Sequence, residues 1–332
     1  FLNLPDEIKQ LIFSDSSTIE ILIIKKTINL KKKWNEYLRE RKQYLIDLDD
    51  ILNNAVFGMN EAKLQIKRIV AQWMNGSDNG YVFGFEGPPG TGKTTLAKKG
   101  IAHAIKSQDG TPRPFIFIAL GGSSNGSTLE GHNYTYVGST WGKIVDSLIA
   151  SQCMNPIIYI DELDKVSKTE HGKELIGILI HMTDPSQNDS FMDKYFSGIK
   201  IDISKCLIIF SYNDPNNIDK ILLDRIHRIK TKQLSKYEKL KIVNNYMLPE
   251  IFKSVGFTKE DIILNDEDLI YIINTYTNEA GVRKLKEKLF EIIREINLQY
   301  LMGDLTEFPF IITKKLIDNL FKDKFKINLK KI

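Results

Sequence analysis

Residues 84–105, GFEGPPGTGKTTLAKKGIAHAI, hold a glycine-framed loop closed by Lys93 and Thr94. The spacing from Gly87 to Gly92 followed by Lys-Thr is that of a phosphate loop, and an apolar run before it and a helical pattern after it supply the expected setting. Glycines let successive backbone N–H groups turn inward and make a nest for phosphate oxygens at a helix N-terminus. A lysine at this position reaches the terminal phosphates, and a threonine hydroxyl is a ligand for Mg2+. Such a loop needs an acidic partner on a neighbouring strand end. PIIYIDELDK (156–165) provides Asp161, suited to hold Mg2+, and Glu162, suited to polarise an attacking water as a general base. Asn213, closing LIIFSYN, can hold that water from an adjacent strand; Arg225 in LLDRIHRI and Arg283 at a helix start in NEAGVRKL are further polar groups, each unremarkable by itself.

Positioning these groups requires strands that end side by side. Four apolar runs, YVFGFEG, PFIFIAL, PIIYIDE and CLIIFSYN, alternate with helical patterns. That alternation predicts an α/β fold, a parallel sheet covered by helices on both faces. Beyond residue 235 the strands stop and helical periodicity takes over. KYEKLKIVNNYMLPEIF sets Leu240, Val243 and Met247 on one face with Pro249 as a stop, and AGVRKLKEKLFEIIREINLQYL repeats the pattern with Leu285, Leu289, Ile292 and Ile296. The expected organisation is a helical segment over 1–50, an α/β domain over 51–235, a small helical domain over 236–305 and a connector over 306–332.

Composition narrows the function classes. The 332 residues are 42% hydrophobic and 27% charged with a formal net charge of +4, which is ordinary for a globular protein and gives no basic stripe for nucleic acid. Cys153 and Cys206 flank apolar runs and read as reduced, buried thiols of an intracellular compartment, cytoplasm or organelle matrix. Five scattered histidines offer no HExxH pair, and neither a structural-zinc spacing nor a nucleophile elbow is present. The chain opens on Phe1, so a fragment is expected.

One loop resists an ordinary reading. EGHNYTYVGSTWG (130–142) joins two tyrosines and a tryptophan to several glycines and serines between apolar runs. It is too flexible for core and unusually aromatic for a solvent loop.

Together these passages resemble the AAA+ ATPases and, within them, the Lon ATP-dependent proteases, over about residues 50–325. The similarity is carried by GG…LEGHNYTYVGSTWGKI, DPSQNDSFMDKYF, LLDRIHRI, NNYMLPE and YTNEAGVRKL in Lon order. The resemblance implies a AAA+ sheet sandwiched by helices, then a helical lid. It implies that Gly87, Pro88, Pro89, Gly90, Thr91, Gly92, Lys93, Thr94 and Thr95 form Walker A, and that Asp161 and Glu162 form Walker B. Asn213 then matches sensor 1, and Arg283 matches sensor 2 in the lid. Arg225 matches the arginine finger that serves a neighbouring subunit, implying a homo-oligomer, a hexameric ring. VFGMNEAK (56–63) matches the adenine-packing segment, with Phe57 and Gly58 in register and Val56 where the family usually has histidine. Tyr136-Val137 matches the aromatic–aliphatic pair that grips polypeptide in the ring pore, whereas Trp141 is expected to pack beneath the loop. A second pore loop falls at 167–173, where Thr169, Glu170 and His171 replace the usual large apolar residue.

The implied function is an Mg-ATP-driven unfoldase and translocase acting on unfolded or misfolded polypeptides, the motor module of a Lon-type protease. A Ser–Lys peptidase domain is expected to follow Ile332. A stand-alone remodelling ATPase derived from the same family is the alternative.

Overall fold

The computed structural model describes residues 16–76, 80–106, 110–121, 125–305 and 307–329. The chain forms two compact units, Phe1–Asp50 and Ile51–Ile332. Helix α1 (Ser16–Ala55) accounts for the described part of the first unit. Trp34 and Tyr37 pack ring against ring along it at 5.6 Å.

The second unit begins with the end of α1 and α2 (Asn60–Met74). Its sheet has five parallel strands, β1 (Tyr81–Glu86), β2 (Phe115–Ala119), β3 (Ile157–Asp161), β4 (Leu207–Tyr212) and β5 (His227–Lys230), in the order β2-β3-β4-β1-β5. The register sets Tyr81 to Glu86 opposite Leu207 to Tyr212, and Ile157 to Ile160 opposite Leu207 to Phe210. The C-terminal ends of β1, β3 and β4 therefore lie side by side. A parallel sheet buried on both faces demands continuous apolar strands. β4 is buried at every residue and β3 at all but its last. Between strands run α3 (93–104), α4 (Ser127–Glu130), α5 (Lys143–Ser151), α6 (Glu170–Thr183) and α7 (Lys220–Asp224). Ile158, Ile160, Ile208 and Phe210 meet Leu175, Leu179 and Met182 of α6 and Ile144 and Leu148 of α5 in one core.

The fifth strand was not among the expected runs. HRIK buries only Ile229, and an edge strand with one partner needs no apolar run to be held.

The C-terminal part is helical: α8 (236–255), α9 (266–277), α10 (Arg283–Met302) and α11 (Lys314–Leu329), around a second core of Leu269, Ile272, Leu285, Leu289, Ile292 and Phe321. α8 starts with a capping box, Ser235 with Glu238. Two expectations fail in this part. Strands do not stop, because β6 (Ile262–Ile263) and β7 (Phe310–Ile311) pair in parallel; two residues each are too short to leave a pattern. Nor does Pro249 stop α8. The turn before it, Val243–Met247, is wound as a π-helix, and Pro249 opens the next α-helical turns. The wider turn relieves the ring–carbonyl clash and removes the need for the missing N–H. α8 ends instead at Gly256, whose φ of 93° is left-handed.

Candidate nucleotide site

The phosphate loop leaves the sheet at Gly87, whose N–H donates to the Tyr212 carbonyl of β4 at 3.1 Å. Gly87 has φ 143°, and a Cβ there would lie 2.3 Å from the Thr231 carbonyl oxygen. Only glycine lets the loop pass this close to the strand beyond. Gly90 and Gly92 are also left-handed, at φ 76° and 99°, and bring the chain round to the start of α3.

Lys93 is the centre of the loop. It is only 7% exposed. Its ammonium donates to the Asn213 side-chain oxygen at 3.0 Å, the Pro88 carbonyl at 3.3 Å and the Tyr212 carbonyl at 3.4 Å, and also to the Gly87 carbonyl. Burial pulls its pKa down to about 8, while Asp161 and Asp164 pull the other way. A cation so short of water is stabilised by anions, which is what a phosphate cradle requires.

The acidic pair sits one strand beyond β4. Asp161 ends β3, and its carboxylate accepts the Glu162 N–H at 3.0 Å. Glu162 is left-handed, at φ 60° and ψ 41°, an uncommon conformation for a residue with a side chain. That turn aims its carboxylate at Gly121 just beyond β2, where a Cβ would fall 1.7 Å from Glu162 Oε2. The loop carrying Asn213 is tied to the same region, since the Asp214 N–H donates to Asp164 Oδ2 at 3.3 Å.

These groups open onto a cleft of about 1040 Å³ whose lining includes Pro89 to Thr95, Asp161, Glu162, Asn213 and Arg283. Phe57 lines it as well, beside Val56, Ile242, Tyr246 and Met247. Gly87, Pro88 and Gly58 lie outside this lining, although Gly58 makes the turn after Phe57 at φ 69°. Arg283 begins α10, and its guanidinium is exposed and 3.9 Å from Glu287. The C-terminal helices dock on the phosphate loop through backbone. Val282 N–H donates to the Gly90 carbonyl at 3.0 Å, and a Cβ on Gly281 would lie 2.3 Å from the Gly90 carbonyl carbon.

Sequence reasoning overlooked part of this lining. Tyr246, Met247, Lys286, Phe290 and Arg294 all reach the cleft. Their spacing is that of any packed helix, so no sequence signal separates them from lid core. Tyr159, whose hydroxyl lies 3.1 Å from Thr94 Oγ1, was also overlooked. A tyrosine among the isoleucines of β3 was the available clue.

Arg225 does not line the cleft. It follows α7 and pairs with Asp184 at 2.9 Å. In the aromatic loop, Tyr136 is 66% and Val137 108% exposed, and Tyr134 is exposed too. Trp141 is also exposed, at 40%, but it makes contacts of its own. It stacks on Phe196 at 5.9 Å and donates to Asp146 at 3.1 Å. The loop's neck is held by buried Asp193, which accepts the N–H groups of Gly142 and Tyr195, each at 2.8 Å. Of the second loop, Glu170 and His171 fall at the exposed start of α6, where Glu170 pairs with Lys173 at 2.7 Å.

The donor set suits a hard cation. Thr94 and Asp161 offer a hydroxyl and a carboxylate, too few for an all-protein cage, and Mg2+ is typically held by one or two such ligands with phosphate and water. No group of three or more His, Cys, Asp or Glu that could hold a metal occurs among the described residues. None of the described helices is long and apolar enough to cross a membrane.

Sheet order, phosphate loop and adjacent strand-end carboxylates define a P-loop nucleotide-binding module. The family model for the ATPase family associated with various cellular activities (AAA) matches residues 83–235, and that for the Lon protease AAA+ ATPase lid domain matches residues 253–308. A Lon protease homolog of Acanthamoeba polyphaga mimivirus is 40% identical over 266 residues, covering 79% of this chain and 25% of that protein. The Lon protease of Malacoplasma penetrans is 30% identical over 336 residues, covering 96% of this chain and 42% of that protein. That of Campylobacter concisus is 38% identical over 219 residues, covering 66% and 26%. The chain belongs to the Lon family, as its AAA+ ATPase and lid module. It spans between a quarter and about two fifths of the length of these relatives.

Proposed function

We propose that the chain is the ATP-hydrolysing motor of a Lon-type ATP-dependent protease, pulling polypeptide through the pore of a homo-oligomeric, hexameric ring. The observation that carries this reading is the contact of Lys93 with Asn213 beside the Asp161–Glu162 strand end. In this reading the loop Gly87–Thr95 cradles the triphosphate, and Lys93 exchanges its carbonyl partners for phosphate oxygens. Phe57, with Tyr246 and Met247, forms the apolar end suited to the base. Bound Mg2+, held by Thr94 and Asp161, would neutralise charge on the phosphates. Glu162 takes the proton from the attacking water, which Asn213 holds in line. Arg283 links nucleotide state to the lid.

Arg225 is the residue offered to a neighbouring copy, and its absence from the lining of its own cleft supports that role. An arginine finger stabilises charge on the transferring phosphoryl group and is worth roughly 10³–10⁵ in rate. Tyr136 and Val137 are the gripping pair; their exposure on a loop with a fixed neck supports this role. An aromatic face bears on any side chain and so pulls without reading sequence. In the full-length protein the motor feeds a peptidase.

The test is steady-state ATP hydrolysis with and without an unfolded polypeptide. Wild type turns over Mg-ATP and is stimulated by polypeptide; Glu162→Gln binds ATP and does not turn it over. Turnover by Glu162→Gln at the wild-type rate would overturn the assignment.

A further inference from the structure

Alternate residues of a strand share a face, so Tyr159 points to the same side of β3 as Asp161, one step of about 6.6 Å back along the strand. Its ring stacks on Phe117 of β2 at 5.8 Å and 17° and also meets Phe115 at 5.8 Å. The side chain is fully buried. A phenol in that position must find hydrogen-bond partners or destabilise the fold. Its hydroxyl lies 3.1 Å from that of Thr94, and the pairing of Tyr159 with Ile209 of β4 sets Ser211, two residues further on, on the same side of the sheet. Ser211 is itself buried and lines the cleft. Three hydroxyls thus gather between the middle of the sheet and the first turn of α3.

A threonine hydroxyl that gives a lone pair to a cation must send its proton elsewhere. A hydroxyl has one donor and two acceptor sites, so the threonine needs an acceptor beside it. Tyr159 Oη meets that need when its own proton goes to Ser211.

We infer that Tyr159 is a positioning residue for the metal-binding hydroxyl: the Ser211–Tyr159–Thr94 relay accepts the Thr94 proton and aims its lone pair at Mg2+. The inference rests on the proposed phosphate site and assigns its metal affinity to a residue outside the phosphate and carboxylate motifs. Aromatic packing on Phe115 and Phe117 fixes the ring, so the hydroxyl can be removed without disturbing the strand.

The test is Tyr159→Phe, which keeps the ring and loses only Oη. Binding of a ribose-labelled fluorescent ATP analogue is titrated with Mg2+ and with EDTA, and the ratio of the two affinities is the readout. Losing one neutral hydrogen bond should cut the Mg2+-dependent gain roughly two- to tenfold. Affinity in EDTA should stay near wild type, which also reports that the variant is folded. Ser211→Ala should shift the ratio the same way by less, because Tyr159 keeps its contact with Thr94. A Tyr159→Phe ratio equal to wild type overturns the inference, as does a wild type that binds equally well with and without Mg2+. A wild type that binds the analogue in neither condition removes the phosphate site itself, and this inference with it.

Discussion

Gly281 tests whether the helical lid and the phosphate loop act as one binding surface. The segment before α10 presses on the loop so closely that a Cβ on Gly281 would sit 2.3 Å from the Gly90 carbonyl carbon, 2.4 Å from its oxygen and 2.6 Å from the Pro89 oxygen. All three atoms are backbone, and carbon atoms in contact prefer about 3.5–4.0 Å. Gly281→Ala must therefore move the lid off the loop by about 1 Å or more. The hydrogen bond from Val282 N–H to the Gly90 carbonyl, 3.0 Å long, cannot survive that shift. Overpacking of this kind costs about 1–3 kcal/mol. If the cost falls on the docked state, nucleotide affinity drops roughly 5- to 150-fold. The lid core of Leu269, Ile272, Leu289 and Ile292 is untouched, so the fold itself should persist. Fluorescent-nucleotide titration gives the affinity, and circular dichroism during heating gives the fold. Wild-type affinity in Gly281→Ala would mean that the lid does not rest on the phosphate loop in solution.

Further outcomes follow from other contacts. Lys93→Met should abolish nucleotide binding and change the pH dependence of stability. The folded pKa of about 8 lies below that of an unfolded lysine at 10.5, so the unfolded chain binds more protons between those values. Wild-type stability should thus rise relative to Lys93→Met as pH goes from about 8 to 10, as read by chemical denaturation at several pH values; a flat difference would contradict the buried charge. Tyr136→Ala should leave thermal stability within about 0.5 kcal/mol, since the side chain is exposed, and should spare basal ATPase while losing stimulation by polypeptide. Asp193→Ala strips two N–H groups of their charged acceptor and should destabilise by about 2–4 kcal/mol in urea unfolding. Gly121→Ala drives a methyl into the Glu162 carboxylate and should lower turnover with little loss of ATP binding, measured as kcat against nucleotide affinity.

The central strands β3 and β4 were legible because a parallel strand buried on both faces has to be written in Ile, Phe and Val; β1 and the edge strand β2 were legible because Tyr81–Glu86 and Phe115–Ala119 are apolar runs as well. The phosphate loop was legible because a backbone nest requires glycine at set places. β5 was not, because an edge strand with one partner tolerates His227, Arg228 and Lys230. Pro249 misled because its effect on a helix depends on the turn before it, and the π-wound Val243–Met247 absorbs the ring. Asn213 was visible as a polar residue closing an apolar run, yet its contact with Lys93 depends on β4 lying beside β1, a matter of strand order rather than of strand content. The base-side lining stayed hidden for a similar reason. Tyr246 and Met247 differ from core residues only in which surface they finally meet.

The central claim is that this cleft powers the pulling of polypeptide, and it is tested most directly by unfolding. A stable fluorescent protein carrying an unstructured tail is mixed with the protein, and fluorescence is followed with ATP, with ADP and with no nucleotide. The account predicts signal loss with ATP alone, absent in Glu162→Gln. Equal loss without ATP, or none with ATP while hydrolysis proceeds, would contradict it.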